Sequence, residues 1–376
     1  EVQQLIDPRM EKLADLMIGY SVNVQPGEKA LINIGGDVSE EMVCLLIDRI
    51  AKAGGIPFVQ LNNPRIDRAL ALNSSEEQLK MLLSRDLPFM KEIQCYISMG
   101  GTVNSTEHAD IPDEITKLRQ THYGTPLLEY RVNNTKWVSM QWPTPAGAQQ
   151  AGMSTEAFED FYFDVCTLDY SKMKAASERL EARLARTDKV RIVGPGDTDI
   201  EFSIKGIPIV VCAGNMNLPD GEIFTAPVKE TVNGVISYNV GTYCQGRPCD
   251  NVRLVFKDGK VVEATASDQK GIEETFNSDE GARYVGEFAI GVNPMITKPF
   301  RNTLFDEKIA GSIHLTPGMA YGMADNGNRS KIHWDMVLIQ NPEYGGGEIY
   351  FDSELVRKDG LFVVEDLLPL NPENLM

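Results

Sequence analysis

The residues able to do chemistry in this 376-residue chain gather in its C-terminal half. Only four histidines occur, and two of them, His314 and His333, fall within Gly311–Asp335. Tyr321 stands between them, and Asp335 follows His333 with only Trp334 intervening. On a strand that spacing sends both side chains from one face, pairing an imidazole with a carboxylate. Further acids sit beside turn or strand residues: Asp220 and Glu222 flank Gly221, and Glu287 interrupts an apolar run. An ionised carboxylate in an apolar strand is costly to bury unless it is paired or metal-bound, so Glu287 is the most informative acid. Imidazoles and carboxylates together suit zinc, cobalt or manganese and single out none of them. Each residue alone also has a structural reading, as a salt-bridged acid or a packed histidine. His108 and His122 are read that way. A serine-hydrolase reading has no support, because G-x-S-x-G is absent.

The elements that must position these residues follow from periodicity and turn signals. Asp7-Pro8 opens a helix to about Tyr20. Lys29–Ile34 reads as a strand, Gly35-Gly36 as a turn, and Asp37 with Glu40 as a capping box for a helix ended by Gly54-Gly55. Ile56–Leu61 closes a βαβ unit, which implies a parallel sheet. A helix over Ser75–Ser84, a strand over Ile93–Met99 and a helix over Pro112–Gln120 continue the pattern. The fold expected is an α/β N-terminal domain with a mainly parallel sheet over residues 1–150. A helical connector over 151–187 and an α+β C-terminal catalytic domain over 188–376 follow. Within the latter, Tyr284–Val292, Ser312–Leu315 and Lys331–Ile339 are expected strands, and Lys257-Asp258-Gly259 marks a hairpin. Gly35-Gly36 lacks the rest of a dinucleotide fingerprint.

Composition bounds the function classes. Apolar residues make up 42% and charged residues 24%, as in ordinary soluble domains. A net charge of −18 argues against nucleic acid, whose phosphates demand a basic footprint. No apolar run approaches the ~18–20 residues of a membrane span, and Glu1–Leu5 carries no leader signature. Six cysteines are scattered without a C-x-x-C, so Cys244 and Cys249 are expected as plain thiols in a reducing compartment, the cytoplasm.

In order along the chain, six stretches resemble the M29 family of metallo-aminopeptidases. They are Val24–Gly27, Trp142–Pro145, Asn217–Pro227, Val285–Pro294, Leu304–His314 and Ser330–Asp335. The resemblance implies a metal-dependent aminopeptidase that frees N-terminal residues from short peptides with a free N-terminus. It implies two divalent metal ions, zinc, cobalt or manganese, held by Glu222, Glu287, His314, His333 and Asp335. Tyr321 would stabilise the oxyanion and Glu307 would sit close to the centre as an acid. A homodimer is implied, with the N-terminal domains restricting access. The chain departs from the family pattern at Leu315–Gly318, in the Tyr321–His333 loop and at Lys331, changes expected to touch substrate access more than ligation. A metallohydrolase of another amide or ester, or a non-catalytic peptide- or metal-binding relative, is the alternative.

Overall fold

The computed structural model describes residues 6–244 and 247–376; the leader reading of Glu1–Leu5 falls outside the described residues. The chain divides into two compact units. One runs to Thr167 and includes Gly214–Pro219; the other comprises Leu168–Ala213 and Asp220–Met376. Of the two helices in the 151–187 segment, Thr155–Cys166 belongs to the first unit and Tyr170–Leu184 to the second.

The first unit is built on a five-stranded sheet, ordered Ile56–Asn62, Lys29–Gly36, Cys95–Gly101, Lys136–Gln141 and Asn217–Leu218. Every neighbouring pair is parallel, as the βαβ pattern requires. Three details differ from the sequence reading. The helix Glu40–Lys52 is capped by Ser39, whose Oγ accepts from the Met42 amide, and not by Asp37. Asp37 is committed elsewhere: its amide donates to the Gly101 carbonyl at 2.8 Å, and a Cβ on Gly101 would collide with its backbone. The helix expected to end near Ser84 runs over Glu76–Lys91 despite Pro88, because its last turn buries Met90 against Leu31 and Ile93. Lys136–Gln141, not expected as a strand, pairs with Cys95–Gly101.

The second unit holds, among the described residues, two large antiparallel sheets and one two-stranded pair. The eight-stranded sheet runs in the order Lys260–Thr265, Arg253–Lys257, Asn233–Ser237, Asp199–Ser203, Lys189–Val193, Glu348–Phe351, Glu354–Lys358 and Leu361–Phe362. The five-stranded sheet runs Val337–Ile339, Ser312–Pro317, Val285–Gly291, Glu222–Thr225 and Val210–Cys212. They meet through apolar side chains such as Phe202 and Phe288, whose rings pack edge to face at 5.1 Å. Buried Arg357 reaches from the larger sheet to the Ser312 carbonyl at 3.0 Å and Gln340 Oε1 at 2.8 Å. Val285–Gly291 and Ser312–Pro317 are buried at every position, polar residues included.

Two further corrections belong to this unit. Only Val337–Ile339 of the expected strand Lys331–Ile339 joins a ladder; His333 makes a single bridge to Gly318. Cys244 and Cys249 are not plain thiols: they form a disulfide across the short antiparallel pair Thr242–Cys244 and Arg247–Cys249, where direct pairing of neighbouring strands holds the two Cα atoms 5.5 Å apart. Cys44, Cys95, Cys166 and Cys212 are unpaired.

Candidate metal centre

The site grows out of strand alternation. In the pairing of Val285–Gly291 with Ser312–Pro317, Glu287 lies opposite Thr316 and Ala289 opposite His314. Residues two apart share a face, so Glu287, His314 and Thr316 project together. Glu222 lies opposite Gly291, two residues further along the same face. Gly291 is required there, because a Cβ would collide with the Ile309 carbonyl, and the segment carrying Glu307 and Lys308 could not close over the sheet. His333 and Asp335 arrive from the irregular segment before Val337–Ile339.

These side chains converge. His314 Nε2 lies 2.9 Å from Glu287 Oε1 and 3.4 Å from Glu222 Oε2. His333 Nε2 lies 3.3 Å from Asp335 Oδ1 and 3.6 Å from Glu287 Oε2. The other ring nitrogen of His333, Nδ1, donates to the Met319 carbonyl at 2.7 Å, which leaves the Nε2 lone pair toward the carboxylates when the ring is neutral. Thr316 Oγ1 donates to Asp335 Oδ1 at 2.7 Å. Tyr321, half exposed, sets its ring 4.3 Å from that of His333. Thus Glu222, Glu287, Glu307, His314, Tyr321, His333 and Asp335 lie together, while Asp220, also singled out from the sequence, meets Glu222 beside Cys212. His108 and His122 instead lie in the first unit, beside Asp67 and Glu76.

Two side chains escaped the sequence reading. Lys308 is fully buried, with Nζ donating to Glu222 Oε1 at 2.8 Å and to Glu307 Oε1. Its signal was a lysine between Phe305 and Ile309 in a segment otherwise reading as packed. Thr316 was taken as a departure affecting access; its hydroxyl also donates to Asp335, one of the candidate ligands.

The donor set fits a divalent ion. Glu222 Oε2 and Glu287 Oε2 are buried and accept no hydrogen bond among the described residues. Burying such oxygens costs several kcal/mol per anion unless a cation offsets it. Ligand atoms of Glu287, His314 and Asp335 lie within 4.8 Å of one another, and so do those of Glu222, Glu307 and His314.

Electrostatics describe the same cluster. Burial works against a charged His314, yet Glu287 and Glu222 outweigh it and push its pKa up to about 9. His333, likewise opposed by burial, is pushed up to about 10 by Asp335 and Glu287. Burial raises Glu287, and it pushes Glu307 up to about 8 although Lys308 pulls the other way. Asp335 is held well below the carboxylate range: burial opposes this, and His333 prevails. Because imidazoles ligate only when neutral, metal must displace protons here. Metal uptake at pH 7 is therefore expected to release protons. Apparent affinity should rise as pH climbs toward 9, by about tenfold per unit for each proton displaced. Calorimetry in buffers of different ionisation enthalpy checks this; affinity flat between pH 6 and 8 would contradict it.

The model of the thermophilic metalloprotease family, M29, matches residues 6–350. The chain belongs to this family. Among M29 relatives, aminopeptidase 2 of Geobacillus stearothermophilus is 25% identical over 94% of this chain and 95% of its own length. Aminopeptidase PepS of Streptococcus thermophilus is 24% identical over 88% of this chain and 92% of its own. Aminopeptidase T of Thermus aquaticus reaches 34% identity over 33% of this chain and 34% of its own. The solved structure of wild-type AmpT from Thermus thermophilus shares the fold, with a TM-score of 0.78, 22% identity and coverage of 95% of this chain and 99% of that one. So does 2,5-dihydroxypyridine dioxygenase of Pseudomonas putida KT2440, with a TM-score of 0.61, 11% identity and coverage of 97% and 100%. M29 membership makes the cluster the place to seek this chain's metal.

Gly286 offers a test of how that place is supported. A Cβ there would collide with the carbonyls of Gly318 and Met319, and the latter anchors His333. Gly286→Ala is expected to lower metal affinity by about 10–100-fold, the range for losing a partner behind a ligand. Competition titration against a chromophoric chelator reads this; unchanged affinity would show that His333 does not depend on the anchor.

Proposed function

We propose that this chain is a metal-dependent aminopeptidase that removes N-terminal residues from short peptides bearing a free α-amino group. One observation carries the reading. Two imidazoles and three carboxylates converge on a buried sheet face, and two of their oxygens lack donors. The metalloprotease family and relatives named aminopeptidases support it.

Glu287, His314, His333 and Asp335 would hold the metal, with Glu222 across the His314 ring. A divalent ion, zinc, cobalt or manganese, supplies Lewis acidity to the scissile carbonyl and to water. The remaining work falls to side chains. Tyr321 would donate a hydrogen bond from its phenol to the oxyanion as the carbonyl is attacked. Burial, then Asp335 and Glu287, hold its pKa well above the tyrosine range, so the hydroxyl keeps that proton at neutral pH. Glu307, with its pKa about 8, can take a proton and return it to the leaving amine. The surrounding carboxylates give the substrate's ammonium an anionic partner.

A cytoplasmic homodimer is part of the proposal. Four unpaired cysteines support the compartment, whereas the Cys244–Cys249 disulfide weighs against a reducing one. Among the described residues, no helix is long and apolar enough to cross a membrane.

The test compares a short peptide with a free N-terminus against its N-acetylated form. The free peptide should lose its first residue and the acetylated form should stay intact. Turnover of the blocked form alone would favour a metallohydrolase of other amides. A second reading is favoured by ligand type, because two histidines and an aspartate are also the ligands of non-haem ferrous oxygenases. Oxygen uptake with ferrous iron, without peptide hydrolysis, would establish that reading instead.

A further inference from the structure

Lys308 follows the short helix Thr303–Asp306 and is sealed from solvent. Its Nζ joins Glu222 Oε1, at 2.8 Å, to Glu307 Oε1. A buried ion pair of this kind is weak evidence for stability, because desolvating the charges cancels much of their attraction. Its position is more informative. Of the three groups of candidate ligands among the described residues, two share His314: one contains Glu287 and Asp335, the other Glu222 and Glu307, while Cys212 and Asp220 meet Glu222 in the third. Lys308 is bonded to both carboxylates of the second group.

Resting on the metal-dependent reading, we propose that the Lys308 ammonium takes the place of a second metal ion, so that each chain holds one divalent ion on the Glu287, His314, His333 and Asp335 side. Three physical points support this. First, His314 turns Nε2 toward both groups, and one imidazole nitrogen has one lone pair to give. An ion bound through it on the Glu287 side leaves the second group only two carboxylates. Second, the ammonium already occupies one oxygen of each. A metal bound to the same oxygens at about 2.0–2.2 Å would face a fixed positive charge in a water-poor site, where like charges repel strongly. Third, the ammonium supplies part of the compensation that these buried carboxylates require, which lowers the electrostatic demand for an ion there. Lys308 also fixes Glu307 beside the centre without spending a metal on it.

The test counts ions. Protein is equilibrated with excess zinc or manganese, freed of unbound metal by gel filtration, and analysed by plasma mass spectrometry. One ion per chain is expected; two would overturn the assignment. Lys308→Gln removes the charge and frees both carboxylates, so its metal content should rise to two. Its manganese form should change from the six-line resonance of isolated ions to an exchange-coupled spectrum. A Lys308→Gln protein that still binds one ion would overturn the assignment. Should that variant fail to fold, the pair Glu222→Gln and Glu307→Gln in the parent chain decides: content should stay at one, and a fall would overturn the assignment. Outcomes separate the two readings. One ion per chain without peptide hydrolysis sinks the aminopeptidase reading and leaves Lys308 in place. Two ions per chain with hydrolysis does the reverse.

Discussion

Glu287→Ala is expected to weaken metal binding by well over about a hundredfold, beyond the cost of losing an outer partner, and to abolish peptide hydrolysis with it. Glu287 is the carboxylate that touches both imidazoles: Oε1 lies 2.9 Å from His314 and Oε2 lies 3.6 Å from His333. Removing it takes a candidate anionic ligand from the middle of the set. The same substitution leaves buried His314 Nε2 without its 2.9 Å partner, so some loss of stability is expected beside the loss of metal. Glu287→Gln preserves shape and removes charge, and it should fail in the same direction. Metal content after dialysis, with the melting temperature as the control for folding, checks both. A Glu287→Ala protein with full metal content would remove Glu287 from the ligand set.

Tyr321→Phe is expected to leave metal content unchanged and to lower kcat by about 10²–10³, or about 2.7–4 kcal/mol, the effect of removing one oxyanion donor. Phenylalanine keeps the ring that packs 4.3 Å from His333 and 6.2 Å from Phe224, so the variant isolates the hydroxyl. Burial, together with the acids around it, keeps that hydroxyl protonated, so the rate loss should not vary with pH across the neutral range. Unchanged kcat would remove the oxyanion role. Lost metal with the rate would make Tyr321 a support for His333.

Much of this was legible in the chain because the site is written in alternation. Glu287 stood out as an acid in an apolar run, and the run is apolar because both faces of its strand are buried. The pairing of His333 with Asp335 was also visible, though for a different reason than the one first available. No ladder carries the segment; one bridge to Gly318 and the Met319 carbonyl fix the ring instead. Lys308 was not legible as part of the site. Its partner Glu222 lies 86 positions away, and no local pattern encodes an ion pair formed when a turn closes over a sheet. Thr316 was hidden likewise, since its hydroxyl matters only for where Asp335 comes to rest. The N-terminal sheet followed from βαβ spacing, whereas Lys136–Gln141 was missed: a strand's membership is decided by a distant partner, here Cys95–Gly101. The Cys244–Cys249 disulfide was misread because spacing alone cannot say that two strands run antiparallel beside each other.

The most direct test is hydrolysis of a free-amine dipeptide or tripeptide before and after thorough chelation, followed by repletion with zinc, cobalt or manganese. Release of the N-terminal residue is expected to disappear with the metal and to return with at least one of the three. Hydrolysis that persists in protein shown by elemental analysis to be metal-free would contradict this.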